Sequence, residues 1–147
     1  MDYSIGELAK ATGVKVPTIR FYEQIMLLPQ PRRAENQRRI YDGRTLDRLA
    51  FIKHARQLGF AVEAIRTLLD LADHPDRACD DANALAQEHL VAVEAKIAQL
   101  EALRGELSRM VSAGCQGLAA DCRVIETLAN HDLCAHDHAA PEHALSA

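Results

Sequence analysis

The chain has 147 residues, 48% of them hydrophobic and 26% charged, and carries a net charge of −4. That size gives one domain, or a small domain plus an appendage, with an ordinary globular composition. No apolar run is long enough to span a bilayer, and the opening MDYSIGELAK has no apolar leader core. The expected compartment is therefore cytoplasmic, where four cysteines read as metal or redox groups rather than a disulfide frame.

Charge is divided unevenly. Residues 1–57 hold eleven Lys/Arg against six Asp/Glu, a net of +5, and residues 58–147 hold six against fifteen, a net of −9. A basic head on an acidic remainder suggests nucleic-acid binding at one end. All six aromatic residues fall within the first sixty positions, so the second half has no material for an aromatic cage.

SIGELAKATGV predicts a short helix: Ser4 caps it, Glu7 stands three residues later, and Gly13 stops it. KVPTIRFYEQIMLL predicts a second, with Pro17 in its first turn and Ile19, Tyr22 and Glu23 at helical spacing. Open N–H groups are expected near its start, over residues 16–18. Two helices around a tight glycine turn form a helix-turn-helix, or an ordinary helical hairpin. Pro29 and Pro31 end the second helix, and the stretch from Arg32 to Tyr41 predicts a β-hairpin wing bearing Arg32, Arg33, Arg38 and Arg39. TLDRLAFIKHARQLGF predicts a third helix capped by Thr45 and ended by Gly59, and AVEAIRTLLDLA a fourth. After the break at Pro75, with Asp80 or Asp81 as a cap, about thirty residues carry one apolar stripe. Leu90, Val93, Ile97, Leu100 and Leu107 lie on it, along a helix of about 45 Å. So long a stripe needs a partner, either a second copy of the same helix or an intramolecular bundle.

The segments IGELAKATGV, TIRFYEQ, LLPQPRR, RRIYDGRTLDRLAFIKHARQLGF and AIRTLL, in that order over half the chain, resemble the MerR family of transcriptional regulators. The resemblance implies a mostly α fold: a winged helix-turn-helix head, a long antiparallel coiled-coil dimerisation helix, and a C-terminal metal-binding loop with a short helix. The divisions expected are 1–75, 80–112, 113–133 and a His-containing tail, 134–147. It implies a homodimer on double-stranded promoter DNA, engaging RNA polymerase by distorting the DNA, with no membrane role. The DNA-facing residues would be Lys15, Val16, Thr18, Arg20 and Tyr22 of the second helix and Arg33, Arg38, Arg39 and Tyr41 of the wing. Tyr22 reads equally well as core, since it and Phe21 cannot both face inward. Met26 stands where the family usually has glycine in a left-handed turn.

Three cysteines and four histidines crowd residues 114–143. Cys115 and Cys122 flank a small-residue loop, and Asp121 is placed to cap the helix CRVIETLAN. In an antiparallel dimer, Cys79 of one subunit would face Cys115 and Cys122 of its partner. The alternative is that Cys79 is a small buried residue, against which its polar setting DRACDD speaks. The resemblance implies serine at position 79 in monovalent-ion sensors, so cysteine points to divalent ions. Three thiolates suit cadmium, lead or mercury. The loop spacing and the His-bearing tail resemble the cadmium/lead-responsive branch, and zinc is less expected because position 116 is Gln and no His falls between Cys115 and Cys122. His89, Cys134, His136, His138 and His143 supply material for a second, weaker site; the alternative is a tail that binds metal opportunistically. A drug sensor of the same fold would want aromatics after Phe60, and a metal buffer would not need the winged head. No catalytic constellation is present, so no enzyme is expected.

Overall fold

The computed structural model describes residues 1–114 and 117–134. Cys115 and the tail residues His136, His138 and His143 lie outside the described residues. The chain divides into two compact units, Met1–Ala86 and Gln87–Ala147.

The first unit holds α1 (Ile5–Thr12), α2 (Val16–Gln24), strands β1 (Arg32–Arg33) and β2 (Arg39–Ile40), α3 (Gly43–Gln57), α4 (Val62–Ala72) and the start of α5 (Asp80–Ser112). A capping box opens α1 as expected. The Ser4 hydroxyl accepts from the Glu7 N–H at 3.2 Å, and the Ser4 N–H donates to Glu7 Oε2 at 2.7 Å. Gly13 closes α1 at φ 73°, and Lys53 Nζ on α3 donates to the Thr12 carbonyl at 2.7 Å. A Cβ on Gly13 would lie 2.7 Å from that same amine. The left-handed backbone favours glycine there, and any larger residue would also have to displace the end of the Lys53 side chain.

Pro17 sits in the first turn of α2. The expected row of open amides does not form, because Pro17 has no N–H and Thr18 donates to the Lys15 carbonyl at 3.0 Å. At the other end Met26 is left-handed, φ 62°. Two arginines secure this turn from beneath: Arg66 Nη2 donates to the Ile25 carbonyl at 2.8 Å and Arg48 Nε to the Leu27 carbonyl at 3.1 Å. Cations on carbonyls at a helix C-terminus satisfy acceptors that the helix cannot.

Thr45 is not the cap of α3. The cap is Asp42, whose Oδ1 accepts from the Thr45 N–H at 2.9 Å and the Thr45 hydroxyl at 3.0 Å. Those two donors hold the Asp42 carboxyl below its usual range. The helix starts three residues earlier than the apolar pattern suggested, because the carboxylate reaches the N3 amide and Thr45 becomes that N3 residue.

The core of this unit gathers Leu8, Ile19, Leu27, Leu28, Tyr41, Leu49, Ile52, Ile65 and Leu69. α1 thereby packs against α2 and α3, α3 packs against α4, and the helix-turn-helix rests on the α3–α4 pair.

α5 carries the chain into the second unit. Asp80 and Asp81 lie inside its first turn rather than before it. The Cys79 carbonyl accepts the first intrahelical bond, from Asn83, at 3.0 Å. Cys79 therefore occupies the N-cap position. In the second unit Leu90, Val93, Ile97, Leu100, Leu107 and Val111 are exposed. Leu100, Leu103, Leu107 and Val111 line a groove of about 530 Å³. Two 3-10 turns, Ala119–Asp121 and His131–Leu133, flank α6 (Arg123–Ala129). Asp121 does not cap α6; it belongs to the preceding turn, and Cys122 holds the N-cap position with no side-chain cap bond. No helix among the described residues is long and apolar enough to cross a membrane.

Met26→Gly should raise stability by up to about 1 kcal/mol, because relief of left-handed strain exceeds the added chain entropy. A lower denaturant midpoint for the glycine variant would contradict the assignment.

Candidate nucleic-acid interface and metal centre

The wing is a two-stranded antiparallel hairpin with Arg32 opposite Ile40 and Arg33 opposite Arg39. Its turn is closed by Gln37 N–H to the Ala34 carbonyl and by Ala34 N–H to the Arg38 carbonyl, both at 2.9 Å, with Gln37 left-handed at φ 67°. Beyond β2, Tyr41 bridges to Tyr3, exchanging backbone bonds of 2.7 and 2.9 Å. This bridge brings the wing beside the start of α1. Together they form a cleft of about 580 Å³ lined by Ser4, Ile5, Arg20, Arg33, Arg38 and Arg39. Four guanidinium groups around one opening form a concentration of positive charge that suits a phosphate backbone.

The expected DNA-facing residues fall into two groups. Lys15, Arg20, Arg33 and Arg38 are exposed, Val16 and Thr18 are half-buried at the start of α2, and Arg39 is half-buried on β2. Arg33 Nη1 donates to the Gln37 carbonyl at 2.9 Å, and Arg32 pairs with Asp2 at 3.2 Å. The two tyrosines are core residues: for Tyr22 this is the alternative already open, and for Tyr41 it corrects the expectation of a wing-surface residue. Tyr22 is 7% exposed while its neighbour Phe21 is 48% exposed, and Tyr41 is 1% exposed. The amphipathic phase of α2 turns Tyr22 inward, and the Tyr3 bridge carries Tyr41 under the wing.

The Tyr41 hydroxyl donates to Glu23 Oε1. Glu23 is itself 3% exposed, and its other oxygen lies 3.7 Å from Arg39 Nη1. Burial, then the bond to Glu23 and that carboxylate's charge, raise the Tyr41 phenol well above its ordinary range. Glu23 was legible only as a helical spacing residue. The available signal was its place one turn after Ile19 and beside Tyr22 on the face of α2 that becomes core: a carboxylate there requires partners.

The candidate metal ligands are distributed along the chain. Cys79 is exposed at the head of α5, and Cys122 is half-buried at the head of α6. Cys79, Cys122 and Cys134 are free thiols. Among the described residues, no group of three or more His, Cys, Asp or Glu side chains is arranged to hold a metal. Cys134 is engaged locally. Desolvation, then the charge of Glu106 and a hydrogen bond to it, push the Cys134 thiol up. The segment that carries Cys134 folds back on the last turns of α5. Arg109 pairs with Glu106 at 2.9 Å and donates to the Leu133 carbonyl at 3.2 Å. Glu106 and Met110, one turn apart, are buried.

Comparison with known proteins gives two matching family descriptions: "MerR HTH family regulatory protein" over residues 3–72 and "MerR, DNA binding" over residues 46–110. The HTH-type transcriptional regulator ZntR of Escherichia coli K12 is 40% identical over 129 residues, 86% of this chain and 92% of that protein. The lead(II) complex of the transcription regulator PbrR691 from Ralstonia metallidurans CH34 is similar at 37% identity and a TM-score of 0.74. That match covers 86% of this chain and 98% of PbrR691. The mercury(II) complex of the dual-function regulator MerR from Bacillus megaterium MB1 is similar at 31% identity and a TM-score of 0.65. It covers 86% of this chain and 99% of that one.

Tyr41→Phe should cost about 1–3 kcal/mol by withdrawing a donor from a buried carboxylate. The folded state favours the protonated phenol. The wild-type contribution is thus complete below about pH 10 and fades above it, whereas the phenylalanine variant lacks that alkaline component. Denaturant midpoints for both proteins across that range check the prediction.

Proposed function

The chain belongs to the MerR family of helix-turn-helix regulatory proteins, and from that premise we propose a mechanism for it. It is a metal-responsive transcriptional regulator, not an enzyme. In our reading, residues 1–75 bind promoter DNA, residues 80–112 pair with the same helix of a second copy, and residues 113–133 form the effector loop. Arg20, Arg33 and Arg38 meet phosphates, and Lys15, Val16 and Thr18 place α2 on its groove.

The effector site is assigned to Cys79 of one subunit together with Cys115 and Cys122 of its mate. The observation that carries this reading is the position of Cys79: an exposed thiol at the N-cap of a helix whose apolar stripe is left uncovered by its own unit. Thirty-three residues of continuous helix separate it from the loop cysteines in the same chain. An antiparallel copy supplies the missing sulfurs at the near end. Free thiols at both ends fit a soft divalent ion. Three thiolates suit cadmium, lead or mercury. The resemblance to the cadmium/lead-responsive branch and the lead complex of a relative 37% identical support cadmium or lead. Mercury is the second reading, supported by the complex of a relative 31% identical. His89 and the tail histidines are assigned to a weaker, accessory site.

When bound, the ion supplies a cross-link between subunits. It acts on transcription only through a difference in affinity between two arrangements of the dimer. Reshaping roughly 20–30 bp of promoter DNA costs of order 1–6 kcal/mol. That is within what three metal–thiolate bonds to separate segments provide. The DNA held in that shape is then competent for RNA polymerase.

Cys79→Ser should abolish high-affinity divalent binding while leaving operator binding intact, read by thiolate-to-metal absorption in a titration and by gel shift on a dyad operator. Unchanged metal stoichiometry would sink the three-sulfur site, and loss of the shift would indicate a misfolded head. Competition among cadmium, lead, mercury and zinc in the same titration ranks the ions. Arg38→Gln should weaken binding equally on all sequences and make the slope of log K against log salt shallower by about 0.9. A sequence-dependent loss would mean that Arg38 reads bases.

A further inference from the structure

Glu23 is a buried carboxylate beneath a surface built to attract phosphates. Left unpaired it would be strongly destabilising, and in negative charge it opposes the ligand. Both of its side-chain partners come from the wing. The Tyr41 hydroxyl takes one oxygen, and Arg39 Nη1 lies 3.7 Å from the other. Its backbone carbonyl accepts from Gln30 Nε2 at 3.3 Å, on the segment that leads into the wing. One residue of α2 thus organises three residues of the hairpin and its approach.

The Arg39 contact is an ion pair through one nitrogen, longer than a hydrogen bond. The side chain of Arg39 is 34% exposed, and it lines the cleft with Arg20, Arg33 and Arg38. A guanidinium has five N–H donors, so one nitrogen near Glu23 leaves the rest of the fork for another acceptor. An arginine already held loses less side-chain freedom when it binds. We propose that Glu23 is a positioning residue for DNA binding: its buried carboxylate presets the Arg39 guanidinium in the basic cleft, so that Arg39 meets a phosphate already oriented. This deepens the DNA-binding reading and rests on it. The competing role is purely structural, with Glu23 serving only to hold Tyr41.

A double-mutant cycle separates the two. Full-length wild type, Glu23→Gln, Arg39→Gln and the double variant are titrated on the dyad operator over a range of salt, with Tyr41→Phe as control. Arg39→Gln should make the salt slope shallower by about 0.9, one phosphate contact. Glu23→Gln should weaken binding about three- to tenfold in the wild-type background and leave it unchanged in the Arg39→Gln background. Tyr41→Phe should act equally in both. Equal weakening by Glu23→Gln in both backgrounds overturns the proposal, as does tighter binding with a steeper slope, which would mean that Glu23 withholds Arg39 from DNA. The Arg39→Gln arm stands alone: an unchanged slope overturns the proposal whether or not Glu23→Gln folds. Failure of the wild type to prefer the operator would instead remove the DNA-binding reading.

Discussion

The head of this protein depends on a carboxylate placed where none would survive alone. Glu23 is buried at the end of α2, and Tyr41 and Arg39 answer it from the wing. The hairpin is only two residues long on each side. Such a hairpin is at best marginally stable by its own ladder. It is kept in place by the Tyr3–Tyr41 bridge on one side and by Glu23 on the other. The wing and α2 are therefore one rigid surface, and the four arginines around the cleft are presented together.

The turn that follows α2 is fixed by different means. Met26 takes a left-handed conformation, and the carbonyls on either side of it are held by Arg66 of α4 and Arg48 of α3. Arg48 also pairs with Asp73 at 3.0 Å. α3 and α4 thus hold the turn that follows α2. Two guanidinium groups tie them to the carbonyls of this turn.

Much of the fold was legible because its signals are local. The Ser4–Glu7 box, Gly13, Pro17, Gly59 and the long periodic stripe each depend on residues within a few positions of one another. The helix starts were misread where two polar residues competed. Asp42 outreaches Thr45, and the turn Ala119–Asp121 takes Asp121 away from α6. The roles of Glu23 and Tyr41 were not legible, since eighteen residues separate them and only the folded wing brings them together. The proposed metal centre rests on a composition and a spacing. In that proposal its geometry depends on a second polypeptide, which no pattern within one chain contains. Cys134 illustrates the limit: its sequence neighbours suggest a ligand, and its partner is a helix carboxylate twenty-eight residues upstream.

Two of the cysteines discussed here hold helix-start positions, Cys79 before α5 and Cys122 before α6. These are positions where serine, threonine, aspartate or asparagine would each contribute about 1 kcal/mol by bonding an orphan amide. Sulfur is a poor acceptor and forgoes most of that gain. Serine at either position would therefore make the helix start firmer, and on the proposed effector site it would remove a sulfur ligand. On that proposal, sensing and stability pull in opposite directions at these two positions, and thermostabilised variants should be screened there first.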